Sequence, residues 1–428
     1  MDLIRTVFLF IVENILSEAA FLVGLVVLIG MLAQKKPAKT LVGSTVKATV
    51  GFLLIDAGAK SMGITLLPVQ PLLQSIFNMD ITEVNLDAAI GSGMAAFGAT
   101  ATLIFAFGFL VNVLLARITK YKYIHLSAHV SFFYAGLIAA LLTVNTGLST
   151  LWITIVGSLM LGVYLTASCA MVAPLMKHVP GGEGFTLGHS SSIGIVISGH
   201  LGKLFAKGKR SLEEIKLPDS LSFLRETTIA LSVIMTLFFV LLVLLAGGSF
   251  VHGEVSGGQN MFIFAIMQGL QFGVGITIII TGVRMMLGEV VAAFHGISQK
   301  IVPNAMPGLD VPLLFPNHPT CVIVGFLSSL VAATLGMVIL AATHYPIVVF
   351  PPLIPVFFTG AITAIFGNAT GGRVGAIAGS FVNGLILIFG QALLLPSIGA
   401  YESVMRVLSE TDYAFFGPII AWILQLFG

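Results

Sequence analysis

The segment from Gly308 to Pro319 places an acid and a histidine between two long apolar runs. It reads Gly-Leu-Asp-Val-Pro-Leu-Leu-Phe-Pro-Asn-His-Pro, and an α-helix cannot continue through its three prolines because each lacks a backbone donor. Asp310, Asn317 and His318 nevertheless lie among Val, Leu and Phe. At membrane depth, acidic side chains and non-helical backbone occur only where protein or a water-filled cavity surrounds them. We therefore predict that this segment lines a substrate cavity.

Residues 180–200 form a second polar segment, Pro-Gly-Gly-Glu-Gly-Phe-Thr-Leu-Gly-His-Ser-Ser-Ser-Ile-Gly-Ile-Val-Ile-Ser-Gly-His. Its glycines permit tight turns and close approach of a ligand, and His189 and the serines after it present consecutive donors and acceptors. The segment is too short and too polar to span a membrane, which predicts a re-entrant hairpin over residues 180–205. Its tip would offer His189 and Ser190 to a polyhydroxylated ligand. A flexible cytoplasmic loop with ordinary helix caps is the alternative.

Two further positions carry ionisable groups inside apolar runs. His129 lies in a predicted span, where an ionisable group usually faces a cavity, although a lone histidine can also be a satisfied interior residue. Asp56 and Lys60 are four residues apart on one helix face, so we interpret them as an intrahelical ion pair.

The sequence lacks the motifs of several other functional classes. It contains no Walker loop, no HExxH spacing, no recognisable catalytic triad and no basic block suited to nucleic acid. Cys169 and Cys321 lie in apolar runs without a CxxC spacing, which indicates neither a disulfide framework nor a metal site. We expect no cofactor. The energy for any uptake must then come from an ion gradient or from another protein.

Composition decides the fold class. Of 428 residues, 57% are hydrophobic and only 9% are charged, which excludes a soluble globular protein. We predict an all-α polytopic membrane protein with about eleven transmembrane helices and re-entrant or broken segments. The first run, with Arg5 and Glu13, is expected to be a retained helix and not a removable signal. The predicted spans are 8–33, 41–66, 90–116, 123–144, 148–174, 226–248, 260–287, 321–343, 346–366, 374–396 and 412–427.

Charges in the loops between these spans are sorted by sign, which predicts orientation. By the positive-inside rule, the N-terminus lies outside and the C-terminus in the cytoplasm of a bacterial inner membrane. The loops after odd-numbered spans carry Lys35, Lys36, Lys39, Arg117, Lys120, Lys122, Lys177, Lys203, Lys207, Lys209, Arg210, Lys216, Lys300 and Arg373. The loops after even-numbered spans carry Asp80, Glu83, Glu254, Glu402, Glu410 and Asp412, with Arg406 as their one clear base.

An internal repeat appears at an offset of 222 to 225 residues. The offset carries span two onto span seven, and an odd shift of spans reverses helix direction, so we predict inverted halves with a substrate site between them near the midplane. On this interpretation Asp87, which occupies the position equivalent to Asp310 in the first repeat, approaches the site. Alternatively it ends an extracellular loop. The matching positions are Gly51, Gly58 and Lys60 with Gly275, Gly282 and Arg284, Leu86-Asp87 with Leu309-Asp310, Phe132-Phe133 with Phe357-Phe358, Asn145 with Asn368, and Pro174 with Pro396.

The repeat divides the chain into predicted units. Repeat one covers approximately 8–176, repeat two approximately 225–400, and a last helix follows at 412–427. A hydrophilic connector at approximately 206–224 joins the re-entrant hairpin to the second repeat. It is either a docking surface for a soluble partner or a solvated connector.

Three runs resemble the ascorbate-specific IIC permeases of the bacterial phosphotransferase system, and more distantly the galactitol IIC proteins. They are Gly282-Val-Arg-Met-Met-Leu-Gly-Glu-Val-Val-Ala-Ala-Phe-His-Gly-Ile-Ser-Gln-Lys-Ile-Val-Pro303, Gly308-Leu-Asp-Val-Pro312 and Gly184-Phe-Thr-Leu-Gly-His189. The resemblance implies two inverted five-helix repeats in a homodimeric permease that takes up ascorbate. A soluble IIB protein, charged by IIA, would supply the phosphoryl group, so no phosphorylated residue is expected on this chain. The family's substrate contacts map onto His129, Gly188, His189, Ser190 and Asp310.

The chain departs from that family pattern beside two of its histidines. Serines at 190–192 follow the tip histidine, and Phe132, Phe133 and Tyr134 follow His129, where the family has glutamines. The shorter hydroxyls change which ligand groups can be reached. Two hypotheses therefore stay open: a phosphorylation-coupled permease for ascorbate or a close sugar acid, and an ion-coupled secondary transporter of a small polyol or sugar acid such as galactitol.

Overall fold

The structure is a computed structural model that describes residues 19–77, 86–207, 210–215 and 226–427. Helices dominate it, with three short strands between them. In chain order the elements are α1 (Ala19–Ala33), α2 (Ala38–Leu66), α3 (Val69–Phe77), α4 (Leu86–Ile118), β1 (Tyr123–His125), α5 (Ala128–Asn145), α6 (Thr150–Met176), β2 (Thr186–Leu187), α7 (Ser192–Lys203), α8 (Thr227–Ala246), α9 (Met261–Lys300), β3 (Met306–Leu309), a 3₁₀ helix (Val311–Asn317), α10 (Pro319–Ala342), α11 (Leu353–Leu394), α12 (Glu402–Leu408) and α13 (Thr411–Phe427). Short turns of helix lie at Gly248–Phe250, Val251–Val255, Leu395–Ser397 and Gly399–Tyr401.

Eight helices among the described residues are long and apolar enough to cross a membrane. The prediction of an all-α polytopic membrane protein is thereby confirmed, whereas the count of eleven spans is not. Two of the predicted span boundaries differ from the helix boundaries in the structure. The span predicted at 123–144 begins as strand β1 and becomes helical only at Ala128, and the span predicted at 260–287 continues to Lys300. Residues 8–18, the start of the first predicted span, lie outside the described part of the chain.

Helix α11 contains two of the predicted spans, 346–366 and 374–396. Gly372 interrupts it with a φ of 64°, and the segments on either side meet, since the Ser380 hydroxyl donates to the carbonyl oxygen of Gly360 at 3.1 Å. The chain therefore folds back at Gly372, where a positive φ favours glycine. The two predicted spans are antiparallel halves of α11.

Helices α2 and α9 carry the two copies of the predicted repeat motif and pack through its glycines. A Cβ at Gly51 would lie 2.9 Å from the carbonyl oxygen of Gly282, and one at Gly58 would lie 2.6 Å from that of Gly275. The contacts run in opposite order along the two helices, so α2 and α9 are antiparallel. The first glycine of each motif meets the second glycine of the other, the pattern that a two-fold axis between inverted copies produces. The predicted domain boundaries remain predictions.

The helices form two groups. Helices α1, α2, α8 and α9 pack with one another, while α4 to α7 and α10 to α13 make up a larger second group. Few contacts join α2 to the second group. This leaves a cleft between the two groups, beside the middle of α2.

Three short parallel strands form a sheet inside the larger group, in the order β1-β3-β2. Gly308 of β3 pairs with His125 of β1 and with Thr186 of β2, and the Gly188 N–H donates to the Leu309 carbonyl at 2.9 Å. These bonds satisfy buried backbone groups that are not in helices, as a low-polarity surrounding requires. Because the strands are parallel, their carboxyl ends lie at one edge of the sheet.

The start of α13 anchors the N-terminus of α7. Fully buried Asp412 accepts at Oδ1 from the Ile193 N–H at 2.8 Å, and at Oδ2 from the Ser192 N–H at 3.0 Å and the Tyr164 hydroxyl at 2.7 Å. The Asp412 N–H donates in turn to the Ser190 carbonyl. A carboxylate at a helix N-terminus satisfies unpaired donors and complements the helix dipole. The sequence placed this residue among the outer loop charges, which was wrong, because it is buried in the core.

Adding a methyl group at the crossing of α2 and α9 should destabilise the protein. We expect Gly58→Ala to lower the free energy of unfolding by about 1–3 kcal/mol, because the new Cβ meets the Gly275 backbone. Melting temperature in detergent micelles measures the effect. Gly288→Ala is the matched control on α9, since no atom of the described residues lies within 4 Å of a Cβ there. Equal melting temperatures for the two variants would contradict the close crossing.

Neutralising the anchor of α7 should also destabilise the protein. We expect Asp412→Asn to cost at least about 2 kcal/mol of unfolding free energy, because one acceptor oxygen becomes a donor facing other donors. Glu402→Gln serves as the control, since Glu402 is half-exposed and forms a surface ion pair with Arg406 one helical turn away. Thermal unfolding of the two purified variants measures the loss of stability in each. An Asp412→Asn protein as stable as the wild type would refute the anchoring role.

Candidate functional site

The carboxyl ends of the three strands bring the predicted site residues together. Asp310 directly follows β3, His189 follows β2 after one residue, and His129 lies in the first turn of α5, just beyond β1. The parallel pairing fixes these three ends at one edge of the sheet. The proline-broken segment and the predicted hairpin tip therefore lie side by side. Their contact with substrate stays a prediction, and the sheet that joins them was not foreseen.

Asp310 lies between two imidazoles. Its Oδ2 is 3.6 Å from His129 Nε2, and its Oδ1 is 3.6 Å from His189 Nε2. Oδ1 also accepts from the Val311 N–H at 2.7 Å, which fixes the carboxylate at the start of the 3₁₀ helix. His189 is 3% exposed and His129 is 44% exposed, so the site opens on the His129 side. Alternating nitrogens and oxygens of this kind can bind ligand hydroxyls, which both donate and accept.

The other two tip residues have different surroundings. A Cβ at Gly188 would lie 2.9 Å from both the Gly308 carbonyl oxygen and the His125 ring, so only glycine lets the strands approach this closely. Ser190 directs its hydroxyl to Glu410 Oε2 at 2.5 Å and lies 3.0 Å from the Tyr413 hydroxyl. Both residues position the tip, and contact of either with substrate stays a prediction.

Glu410 is a site residue that sequence reasoning missed. It was counted among the charges of an outer loop, but it is buried, and its Oε2 lies 3.3 Å from His189 Nδ1. The Tyr413 hydroxyl, close by, donates to the Val130 carbonyl. The sequence feature that could have revealed it is the run from Ser409 to Tyr413, where two acidic residues lie at the start of an apolar helix in a chain with few charges. The end of the chain therefore supplies a third element of the site.

A cavity of about 150 Å³ lies over these groups, in the cleft beside α2. Its polar wall consists of His129, His189, Asp310 and Glu410. The opposite walls are largely apolar and aromatic, an arrangement typical of small-ligand sites. The remaining lining residues are Phe52, Ile55, Asp56, Ala59, Lys60, Val130, Phe133, Pro312, Ile354, Pro355, Phe358, Leu408 and Tyr413.

Asp56 and Lys60 lie at the mouth of this cavity, on α2. Their side chains form the predicted ion pair, with Lys60 Nζ 2.7 Å from Asp56 Oδ2. Asn317 and His318 do not line the cavity; they lie at the start of the hairpin, where His318 Nε2 is 3.0 Å from the Pro180 carbonyl oxygen. The proline-broken segment thus gives the cavity Asp310 and Pro312 alone. The Asp87 side chain falls outside the described part of the chain.

Comparisons with known proteins agree with this architecture. Residues 14–412 match the family EIIC-GAT, described as the sugar-specific permease component of the PTS, the phosphotransferase system. The chain is also similar to the ascorbate-specific PTS system EIIC component of Mycoplasma pneumoniae, at 26% identity over 448 aligned residues that cover 91% of this chain and 67% of that protein. These matches confirm the resemblance seen in the sequence. Because the family match covers nearly the whole chain, this protein belongs to the sugar-specific permease components of the phosphotransferase system.

Proposed function

We propose that the protein takes up ascorbate, or a close sugar acid, across the bacterial inner membrane and that uptake is coupled to phosphorylation of the substrate by a soluble IIB protein, which IIA recharges. The observation that carries the proposal is the convergence of His129, His189 and Asp310 on one cavity in a chain of the sugar-specific permease family. The ascorbate-specific relative supports the choice of substrate. We also propose that the working unit is a homodimer, as the resemblance to the ascorbate-specific permeases implies.

The arrangement of the site suits a small polyhydroxylated ligand. His129 and His189 can each donate one hydrogen bond while neutral, and Asp310 can accept from ligand hydroxyls. The aromatic walls, with Phe52 on α2 and Phe133 and Phe358 on the second helix group, cover the apolar faces of a ring. Closing a charged or polar ligand away from water without such partners would be costly.

The position of the cavity suggests how transport proceeds. Phe52, Asp56 and Lys60 contribute from the first helix group, whereas His189 and Asp310 belong to the second group. Movement of one group past the other would expose the same pocket first to one side of the membrane and then to the other. The strand-held residues would travel as a unit because the sheet fixes their mutual distances.

A neutral polyol is the second candidate substrate for the same coupled transport. The observation that favours it is the presence of two buried carboxylates, Asp310 and Glu410, on the cavity wall, where Lys60 is the single ammonium and lies at the mouth. Carboxylates accept from hydroxyls but repel an anion. Calorimetric titration of the purified chain with ascorbate and with galactitol separates the two candidates: heat with ascorbate alone supports the acid, heat with galactitol alone supports the polyol, and heat with neither rejects both.

Removing either buried partner should weaken the binding of whichever ligand gives heat. We expect Asp310→Asn and His189→Ala to weaken binding by roughly 10- to 100-fold, since each removes a strong hydrogen bond from a buried site. Calorimetric titration of each variant with that ligand measures the change in affinity. Glu289→Gln is the control, because Glu289 pairs with Lys47 outside the cavity and should leave affinity unchanged. Wild-type affinity in a folded Asp310→Asn protein would remove Asp310 from the site.

Coupling to phosphorylation predicts the behaviour of the isolated chain. Proteoliposomes that contain only this protein should not concentrate radiolabelled substrate under a proton or sodium gradient. Adding IIA, IIB and a phosphoryl donor to the cytoplasmic side should yield phosphorylated substrate there. Accumulation of unmodified substrate under an ion gradient would instead establish an ion-coupled secondary transporter.

A further inference from the structure

A second cluster of ligating side chains lies away from the substrate cavity, at the N-terminus of α10. It consists of Glu213 from the connector, His318 immediately before α10, and Cys321 in the first turn of α10. One ligand atom from each residue lies within 4.8 Å of the other two. His318 and Cys321 are buried, whereas Glu213 keeps contact with solvent. More than one hundred residues separate Glu213 from the other two, so no spacing in the sequence could reveal the cluster.

One ring nitrogen of His318 is buried and lacks a hydrogen-bond partner within the described part of the chain. His318 Nε2 lies 3.0 Å from the Pro180 carbonyl oxygen, and a carbonyl can only accept, so Nε2 carries the proton. Nδ1 of the neutral ring then holds a lone pair, and this buried atom has no hydrogen-bond partner among the residues that the structure describes. A histidine whose outer N–H donates to a backbone carbonyl is the usual arrangement of a metal ligand.

Glu213 is also held in place. Its Oε1 accepts from the Cys321 N–H at 2.8 Å and its Oε2 from the Thr320 N–H at 3.2 Å, so the carboxylate caps α10. A carboxylate offers about four lone-pair positions, and these two bonds leave others available. Its partial exposure provides an entry path for an ion from the aqueous side.

We propose that Glu213, His318 and Cys321 form a zinc site. A thiolate, an imidazole and a carboxylate are the ligands that Zn²⁺ takes, and in a tetrahedral site ligand atoms lie about 3.3–3.8 Å apart, so small rotations of the three side chains would complete it. A water would fill the fourth position, and the Cys321 thiol would lose its proton to solvent on binding. The bound ion would tie the connector to α10 and, through Pro180, to the base of the hairpin that carries His189.

Cobalt titration of the purified full-length chain tests the site, because Co²⁺ replaces Zn²⁺ and a thiolate ligand gives a charge-transfer band in the near ultraviolet. We expect this band to saturate at one Co²⁺ per chain and to bleach when Zn²⁺ is added. Cys321→Ser should abolish it, and Glu213→Gln, which keeps a capping oxygen, should weaken cobalt binding by roughly tenfold or more. The His129, His189 and Asp310 cluster contains no sulfur and cannot produce the band.

Cys169→Ser is the matched control, since Cys169 is the other cysteine of the sequence, is buried, and lies outside the cluster. This variant should keep the band and its stoichiometry. Melting temperature gives an independent readout: Zn²⁺ should raise it in the wild type and in Cys169→Ser but raise it less in His318→Gln. Absence of the band at excess Co²⁺, or its survival in Cys321→Ser, would overturn the proposal.

Discussion

The parallel pairing of three strands of two to four residues is the constraint on which the site depends. In a largely apolar protein, backbone that leaves a helix must find partners for its N–H and C=O groups. Here the hairpin and the proline-broken segment find them in each other and in the segment before α5. Because parallel strands end at one edge, satisfying the backbone also brings His129, His189 and Asp310 to one cavity. The same strand pairing therefore both provides hydrogen bonds for the buried backbone and positions the polar side chains of the site.

The end of the chain completes this arrangement. Asp412 accepts from the backbone N–H groups at the start of α7, and Glu410 lies against the His189 ring, so the junction of α12 and α13 also holds the segment that carries His189. Acidic side chains at such depth are costly unless they are hydrogen-bonded. Asp412 accepts four hydrogen bonds, which explains how the core tolerates it.

The close crossing of α2 and α9 has a different physical origin. In a membrane the two helix surfaces gain nothing from leaving water, so helix contact depends on packing, and glycines let backbones approach. Gly51 and Gly58 meet their repeat counterparts in antiparallel order. Since the cavity lies between this group of helices and the group that contains the sheet, the crossing also sets one wall of the site, with Phe52 facing the polar groups.

Hydropathy, prolines and glycines act locally, so the amino-acid pattern was enough to predict the membrane class, most helix positions, the two broken segments and three of the residues at the cavity. The inverted order of the glycine motifs also followed from an odd shift of spans. Three features became visible only in the folded chain: the strand pairing, the burial of Glu410 and Asp412, and the contact of Glu213 with His318 and Cys321. Each of these depends on contacts between segments far apart in the chain, and a charge beside an apolar run has the same sequence pattern whether it faces water or the core.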